Sequence, residues 1–370
     1  MDNFIVSARK YRPQTFQSVV GQNAITTTLK NSILQQQIAQ AFLFCGPRGV
    51  GKTTCARIFA KTINCQNKTA DGEACNECDS CRSFNASASF NIFELDAASN
   101  NSVDDIRRLV EQVRIPPQGV KYKVYIIDEV HMLSAQAFNA FLKTLEEPPA
   151  YAKFILATTE KHKILATILS RCQIFDFKRI KTDDIVKHLE YVASQEKIGY
   201  EESALHIIAQ KSDGGLRDAL STFDQIVSFS NGNITYSSTI ENLNVLDYDY
   251  FFKIIALILE ENTAETLLLY NEILEKGFDG QHFLSGLNVH LRNLSVCKSP
   301  ATIKLMEVSD NVKNEYLNQS KAVADDMLIR LLTLFTKSES EYKSSNNKRL
   351  HVEVALMQAC YLKRARVRQS

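Results

Sequence analysis

Short apolar runs alternate with helix-length amphipathic stretches through the first half of the chain, and the runs thin out in the second half. Strand-sized runs fall at Ala41–Cys45, Ile92–Leu95, Lys123–Ile127, Phe154–Thr158 and Gln173–Phe177. Helical patterns at Ser102–Gln112 and Ser134–Leu145 lie between them, which predicts an α/β domain with a parallel sheet over residues 1–180. The second of these helices has to stop before Pro148-Pro149, because proline cannot continue a helix and pushes its predecessor out of one. From residue 181 the strand signal fades. Asp183–Gln195, Glu201–Lys211 and Leu216–Phe229 read as three amphipathic helices of a small lid domain, residues 181–243, with Thr182 as N-cap and Gly214-Gly215 as a break. Ser230-Asn231-Gly232-Asn233 marks a turn after them. Residues 244–370 carry helical periodicity at Tyr250–Glu260, Ala264–Lys276, Gln281–Ser295, Asp325–Ser338 and His351–Leu362, predicting a helical C-terminal domain. There is neither an internal repeat nor a low-complexity linker.

Composition narrows the class. At 370 residues the chain can hold two or three domains with real cores. Its 45% apolar and 23% charged fractions are those of an ordinary folded protein rather than a disordered one. No apolar run approaches the roughly 20 residues of a membrane span, even at Phe251–Leu259. The N-terminus lacks the basic and apolar regions of a signal peptide, so a cytoplasmic location is expected and no membrane partner. A net charge of +1 argues against a protein that coats polyanions, so any nucleic-acid contact has to come from a local patch or from several subunits together. Nine cysteines in a cytosolic chain point to thiols and metal rather than disulfides.

The strongest chemical signal is Gly46-Pro47-Arg48-Gly49-Val50-Gly51-Lys52-Thr53-Thr54, a complete G-x-x-x-x-G-K-T run. It follows the strand pattern Ala41–Cys45 and precedes a helix-compatible stretch, Cys55–Lys61. A strand aims the chain at the ligand, and Gly46, Gly49 and Gly51 let backbone N–H groups approach phosphates at a helix N-terminus. Lys52 is placed to reach the β/γ-phosphates and the Thr53 hydroxyl to ligate Mg²⁺. A glycine-rich turn with no ligand is the bland reading; the flanking pattern favours a nucleoside triphosphate.

Val124-Tyr125-Ile126-Ile127 builds a buried strand and delivers Asp128 and Glu129 at its C-terminal end, where α/β sheets place ligands. Asp128 is expected to hold Mg²⁺, directly or through water, and Glu129 to polarise the attacking water as general base. Such a pair is common in surface loops, and its position downstream of a P-loop is what makes it a Walker B element. His131 either orients Glu129 or is simply a partly buried histidine. Thr158 and Thr159 end a strand with hydroxyls able to sense a γ-phosphate or the lytic water, although threonine suits strands in any case. Arg171, in Ser170-Arg171-Cys172, can neutralise charge on a transferring phosphoryl group from a neighbouring subunit. A solvated arginine or a local ion pair is the alternative. Arg217 falls in the first turn of a helix, a poor place for a cation, and either Asp218 or a bound triphosphate has to balance it.

Cys65, Cys75, Cys78 and Cys81 follow C-x9-C-x2-C-x2-C spacing, suited to a closed tetrahedral Zn²⁺ site. A redox dithiol is the competing reading. The remaining cysteines sit singly in apolar settings and pack.

These residues, in this order, resemble AAA+ ATPases and, more narrowly, the gamma/tau clamp-loader subunits of bacterial DNA polymerase III. The resemblance covers about residues 4–230. It rests on Ala8-Arg9-Lys10-Tyr11-Arg12-Pro13-Gln14-Thr15-Phe16, Val19-Val20-Gly21-Gln22, the P-loop and the four cysteines. It continues through Glu94-Leu95-Asp96-Ala97-Ala98-Ser99, Asp128-Glu129-Val130-His131, Leu145-Glu146-Glu147-Pro148-Pro149, Ser170-Arg171-Cys172 and Leu216-Arg217-Asp218. Beyond residue 245 only a generic collar-like helical region is recognisable.

The resemblance implies that Tyr11, Arg12, Pro13 and Val20 line the adenine and ribose, that Thr159 or Thr158 is sensor 1, and that Arg217 is sensor 2. It implies that Arg171 is an arginine finger acting on ATP in the adjacent subunit, and that the cysteines form the family's zinc module. The cofactors implied are ATP, Mg²⁺ and Zn²⁺. The partners implied are delta, delta-prime and further gamma/tau copies in a pentameric loader that opens the beta sliding clamp and places it on primed DNA. No polymerase active site is expected, since nothing beyond the ATPase carboxylates suits two-metal nucleotidyl transfer; a polymerase classification would come from membership of the complex. Two other readings stand beside this one, a non-hydrolysing scaffold such as delta-prime and a DNA-remodelling ATPase acting alone. Gly51-Lys52-Thr53 and Asp128-Glu129 argue against the first, and the collar-like region with the zinc insertion against the second. The chain ends at Ser370 after Lys363-Arg364-Ala365-Arg366 and is expected to be a short or truncated form without the family's polymerase- and helicase-binding tail.

Overall fold

Five parallel strands carry the first part of the chain: β1 (Ala41–Cys45), β2 (Ile92–Asp96), β3 (Lys123–Asp128), β4 (Ala152–Thr158) and β5 (Gln173–Asp176). The computed structural model describes residues 5–363 except 307 and 309, so Arg364-Ala365-Arg366 lie outside the described residues. The strands are ordered β2-β3-β4-β1-β5. All residues of β1 and β4 are buried, as central strands covered on both faces require. Burial becomes intermittent in β2 and β5, the two edges.

The strand period of two sends alternate residues into separate cores. Phe42, Phe44, Ile126 and Ile155 pack with Phe59, Ile63, Leu29 and Ile33 on one face. Leu43, Tyr125, Ile127, Phe154 and Leu156 pack with Ile106, Leu109, Phe138 and Phe141 on the other. The covering helices are Asn23–Leu34 and Lys52–Ile63 on the first side, Val103–Val113 and Ala135–Glu146 on the second. Ser102 and Ser134 cap the latter two, accepting the N–H groups of Asp105 and Ala137 at 3.2 Å each. Thr182, expected as an N-cap, is instead the first residue of the Thr182–Glu196 helix; Lys181 holds the cap position, with no side-chain capping bond.

The chain divides into two compact units, Met1–Lys197 with Ile208–Gln225, and Ile198–Ile207 with Ile226–Ser370. In the second, β6 (Gly199–Tyr200) pairs in parallel with β7 (Asn233–Ile234). Helices Tyr248–Leu259, Thr263–Glu275, Gly280–Val296, Asp310–Ala322, Asp325–Tyr342 and Lys348–Tyr361 follow. Their apolar faces share one core that includes Ile255, Phe283, Leu287, Leu331, Phe335 and Leu356. Asp247, Asn262, Asp279 and Asn347 cap four of them. No helix among the described residues is long and apolar enough to cross a membrane.

Candidate functional site

The P-loop leaves the C-terminal end of β1 at Gly46, whose φ is +145°. A Cβ there would lie 2.4 Å from the Phe177 carbonyl oxygen, so the position needs glycine both for its backbone angle and for its close neighbour. Gly51, at φ +101°, is the N-cap of the Lys52–Ile63 helix. Lys52 is buried, and its ammonium donates to the Gly46 and Pro47 carbonyl oxygens at 2.8 and 2.7 Å. Burial holds the Lys52 pKa below the ordinary lysine value, opposed by the charges of Glu129 and Asp128.

Strand β4 lies between β1 and β3, so the end of β4 separates the cradle from the two carboxylates. Thr53 Oγ1 donates to Asp128 Oδ2 at 2.5 Å across this gap. Glu129 adopts φ +46°, a left-handed conformation that costs energy for a residue with a Cβ, and its N–H donates to Asp128 Oδ1 at 2.9 Å. Thr159 Oγ1 donates to Glu129 Oε2 at 3.2 Å. Thr158, fully buried, bonds instead to His131 Nδ1 at 3.0 Å. The His131 ring also lies 3.4 Å from Glu129 Oε2 and, through Nε2, 3.1 Å from Glu160 Oε2. Of the two readings of His131, the contact with Glu129 favours the positioning one.

The segment before the first long helix approaches the same place. Arg12 Nε donates to Thr54 Oγ1 at 3.2 Å. Its pKa is lowered first by burial and then by Arg57, with Arg217 adding to the effect and Glu94 and Asp128 opposing it, so all these charges share one neighbourhood. Pro13 and Val20 are half-buried, and Val19 Cγ1 is the nearest neighbour of a Cβ built at Gly51. The Tyr11 hydroxyl is tied to Glu196. The Arg217 N–H points at the Gly49 carbonyl oxygen, 3.4 Å away, while Asp218 turns its carboxylate toward Gly49 and Gly215. Arg171 stands apart, its guanidinium on Glu146 at 2.9 Å and on the Thr167 carbonyl oxygen at 2.7 Å.

The sulfurs of Cys65, Cys75, Cys78 and Cys81 all lie within 4.8 Å of one another. A tetrahedral Zn²⁺ with Zn–S bonds of about 2.3 Å needs sulfurs roughly 3.8 Å apart, and the Cys65 sulfur is 3.5 Å from that of Cys75 and 4.0 Å from that of Cys78. The Cys75 N–H donates to the Cys65 sulfur and the Cys78 N–H to the Cys75 sulfur, both at 3.3 Å, contacts that favour thiolates. The Cys78 and Glu77 N–H groups lower the Cys75 thiol to about 6, while burial raises those of Cys65 and Cys81. The donor set therefore fits the metal.

Three residues near these sites were given no role by the sequence, although Gln22 is among those that carry the family resemblance. Gln22 donates to the Lys178 carbonyl oxygen at 2.7 Å and reaches the Val50 carbonyl oxygen at 3.4 Å. Glu73 and Lys61, both buried, connect the cysteine loop to its surroundings. For Glu73 the one sequence signal was a charge in a metal loop; Lys61 gave none, because Arg57 and Thr54 share its face at helical spacing.

Sheet order, cradle and carboxylates define a P-loop nucleotide domain of the AAA+ class. Residues 21–181 match the family model described as "DNA polymerase III, delta subunit". Residues 184–232 match "DNA polymerase III clamp loader subunit, ATPase lid domain", and 238–369 match "DNA polymerase III subunits gamma and tau domain III". DNA polymerase III subunit tau of Bacillus subtilis is 42% identical over 352 residues, 95% of this chain and 62% of that protein. DNA polymerase III subunit gamma of Buchnera aphidicola subsp. Baizongia pistaciae is 39% identical over 303 residues, 82% of each. The chain belongs to the gamma/tau family of DNA polymerase III subunits. Among solved structures, the Thermotoga maritima RuvB Holliday junction branch migration motor aligns at 19% identity and a TM-score of 0.48, over 84% of this chain and 91% of that one.

Proposed function

We propose that this chain is an ATP-hydrolysing motor subunit of a DNA polymerase III clamp loader. Its work would be to open the sliding clamp with delta, delta-prime and further gamma/tau subunits and to load it on primed DNA. The observation that carries the reading is the meeting of Lys52, Thr53, Asp128 and Glu129 around the ends of β1 and β3, in a chain of this family. Backbone N–H groups of the P-loop and the Lys52 ammonium bind the triphosphate. Mg²⁺, held by Thr53 and Asp128, would supply charge neutralisation on the β- and γ-phosphates. Glu129, oriented by Thr159 and His131, accepts the proton of the attacking water as the γ-phosphoryl group departs. Tyr11, Arg12, Pro13 and Val20 would form the side on which adenine and ribose rest, and Arg217, whose backbone N–H points at Gly49, would serve as sensor 2 from the helix after Gly215. Arg171, paired with Glu146 rather than with a cradle residue, serves the ATP of a neighbouring subunit. Zn²⁺ on the four cysteines is structural, because all four ligands come from the protein and leave no open position.

A delta-prime-like scaffold is the second reading, prompted by the delta-subunit description of the model that matches residues 21–181. The intact cradle and carboxylates favour the motor. Hydrolysis measured in the reconstituted assembly separates the two: clamp plus primed DNA stimulates a loader motor more than duplex or single strands alone do. Indifference to the clamp would refute the motor reading.

A further inference from the structure

The cysteine loop is built into the nucleotide side of the domain. Glu73, two residues before Cys75, is buried and accepts the backbone N–H groups of Phe16 and Gln17 at 3.0 and 3.1 Å, one on each carboxylate oxygen. Its third partner is Lys30, 3.5 Å away on the Asn23–Leu34 helix. Lys61 lies near the end of the helix that begins at Lys52 and is 1% exposed. Its ammonium donates to Asn76 Oδ1 at 2.6 Å, between two of the cysteines, and reaches Asn85 and Gln14 at 3.4 and 3.5 Å. The cysteine loop thus holds Phe16 and Gln17 through Glu73 and meets Gln14 through Lys61.

Those contacts fall within the segment that carries Arg12, Pro13, Val19 and Val20. Phe16 and Val19 are buried with Val50 and Phe59 of the P-loop and its helix. Arg12 is bonded to Thr54. Residues 14–17 form no strand and no helix, so side chains rather than a ladder have to fix their path. The Phe16 N–H is a buried donor that would otherwise lack a partner, while the Gln17 N–H on the other oxygen is only part-buried.

We propose that Glu73 and Lys61 are positioning residues through which the metal-bound cysteine loop sets the adenine-side segment 11–20 and so sets the affinity for the nucleotide. The proposal rests on the assignment of that segment to the nucleotide side. Four thiolates fixed on Zn²⁺ restrict the loop from Cys65 to Cys81, and the loop in turn places Glu73. Loss of the metal releases the carboxylate, the 16–17 backbone and, through them, the wall against which the base rests. Phosphate binding by the P-loop backbone is left in place, so affinity weakens and is not abolished.

Glu73→Gln tests this without touching a cysteine. A glutamine accepts through one oxygen only, and its NH₂ faces the other backbone donor. Zinc content, amide exchange across residues 12–20 and titration calorimetry with MgATP are measured on the zinc-loaded wild type and variant. The expected result is full zinc content, faster exchange at Phe16 and Gln17, and a dissociation constant for MgATP raised about tenfold. Wild-type affinity in a variant with accelerated exchange overturns the proposal, as does unchanged exchange. Failure of the wild type itself to bind MgATP would instead sink the nucleotide assignment. Should Glu73→Gln not fold, zinc is withdrawn from the wild type with a chelator and the same exchange and titration are read. Faster exchange at 16–17 with weaker MgATP binding supports the coupling, and undiminished binding by the zinc-free chain rejects it.

Discussion

Thr53 donates its hydroxyl hydrogen to Asp128 across 2.5 Å, tying the first turn of the P-loop helix to the last residue of β3. Both groups are hard oxygen donors of the kind Mg²⁺ prefers. The contact also places Glu129, the next residue, beside the cradle.

Glu129→Gln should separate binding from turnover. The amide keeps the size of the side chain and the reach of the Thr159 hydroxyl, but it cannot accept a proton from water. Hydrolysis is expected to fall by about 10²–10⁴-fold while equilibrium ATP binding stays near wild type. Single-turnover kinetics with a parallel binding titration checks both. A variant that hydrolyses normally would show that another group is the base.

His131 bridges Glu129, Thr158 and Glu160. Removing it leaves Glu129 with Thr159 alone among these partners. His131→Ala is expected to lower kcat about tenfold with little change in KM, the pattern of a mispositioned base rather than a damaged pocket. His131→Asn, which keeps a donor near the Nδ1 position, should recover part of the rate. Equal losses in the two variants, or a loss confined to KM, would contradict the positioning role.

Arg171 pairs with Glu146 where the side chains are 36% and 49% exposed, so the pair adds little stability. Arg171→Ala should therefore change unfolding free energy by no more than about 0.5 kcal/mol. Turnover in the assembled complex is expected to drop about 10³-fold with ATP binding unchanged. Retained turnover would return Arg171 to the local ion-pair reading.

In the second unit, His290 is buried among Phe251, Phe252 and Tyr316, with its ring nitrogens on the Tyr316 hydroxyl at 3.0 Å and Gln319 Oε1 at 2.9 Å. Burial pushes its pKa from 6.5 down to about 4, the Gln319 contact opposing. The unfolded chain then takes up a proton that the folded chain refuses between these values. The contribution of His290 is complete above pH 6.5 and is lost as pH falls through that window. Thermal unfolding between pH 7 and 4 should show a steeper loss of stability for the wild type than for His290→Gln; parallel curves would rule out this origin.

Much of the sheet was legible because its strands are continuous apolar runs. Ala41–Cys45 was read to the residue, and β2, β3 and β5 to within one at an end. The start of β4 at Ala152 was missed by two residues, since Lys153 interrupts the apolar run and is buried with its ammonium on the Ile38 carbonyl oxygen. Elements with weak periodicity stayed hidden. Asn23–Leu34 carries three consecutive threonines, poor helix formers, and Asp310–Ala322 is largely polar. The two-residue strands Gly199–Tyr200 and Asn233–Ile234 are too short for any alternation to register. At the site, the phosphate and carboxylate residues were legible because their spacing is local. Glu73 and Lys61 were not, because their partners are set by the tertiary path of residues 14–17 and 76.

The central claim is that ATP turnover at Lys52, Asp128 and Glu129 drives clamp transfer. It is tested most directly by loading of the sliding clamp onto primed DNA with every companion subunit present, comparing the wild type with Lys52→Ala, each with and without ATP. The account predicts efficient loading by the wild type with ATP, and little by the wild type without it or by Lys52→Ala under either condition. Equal loading in all four reactions would contradict it.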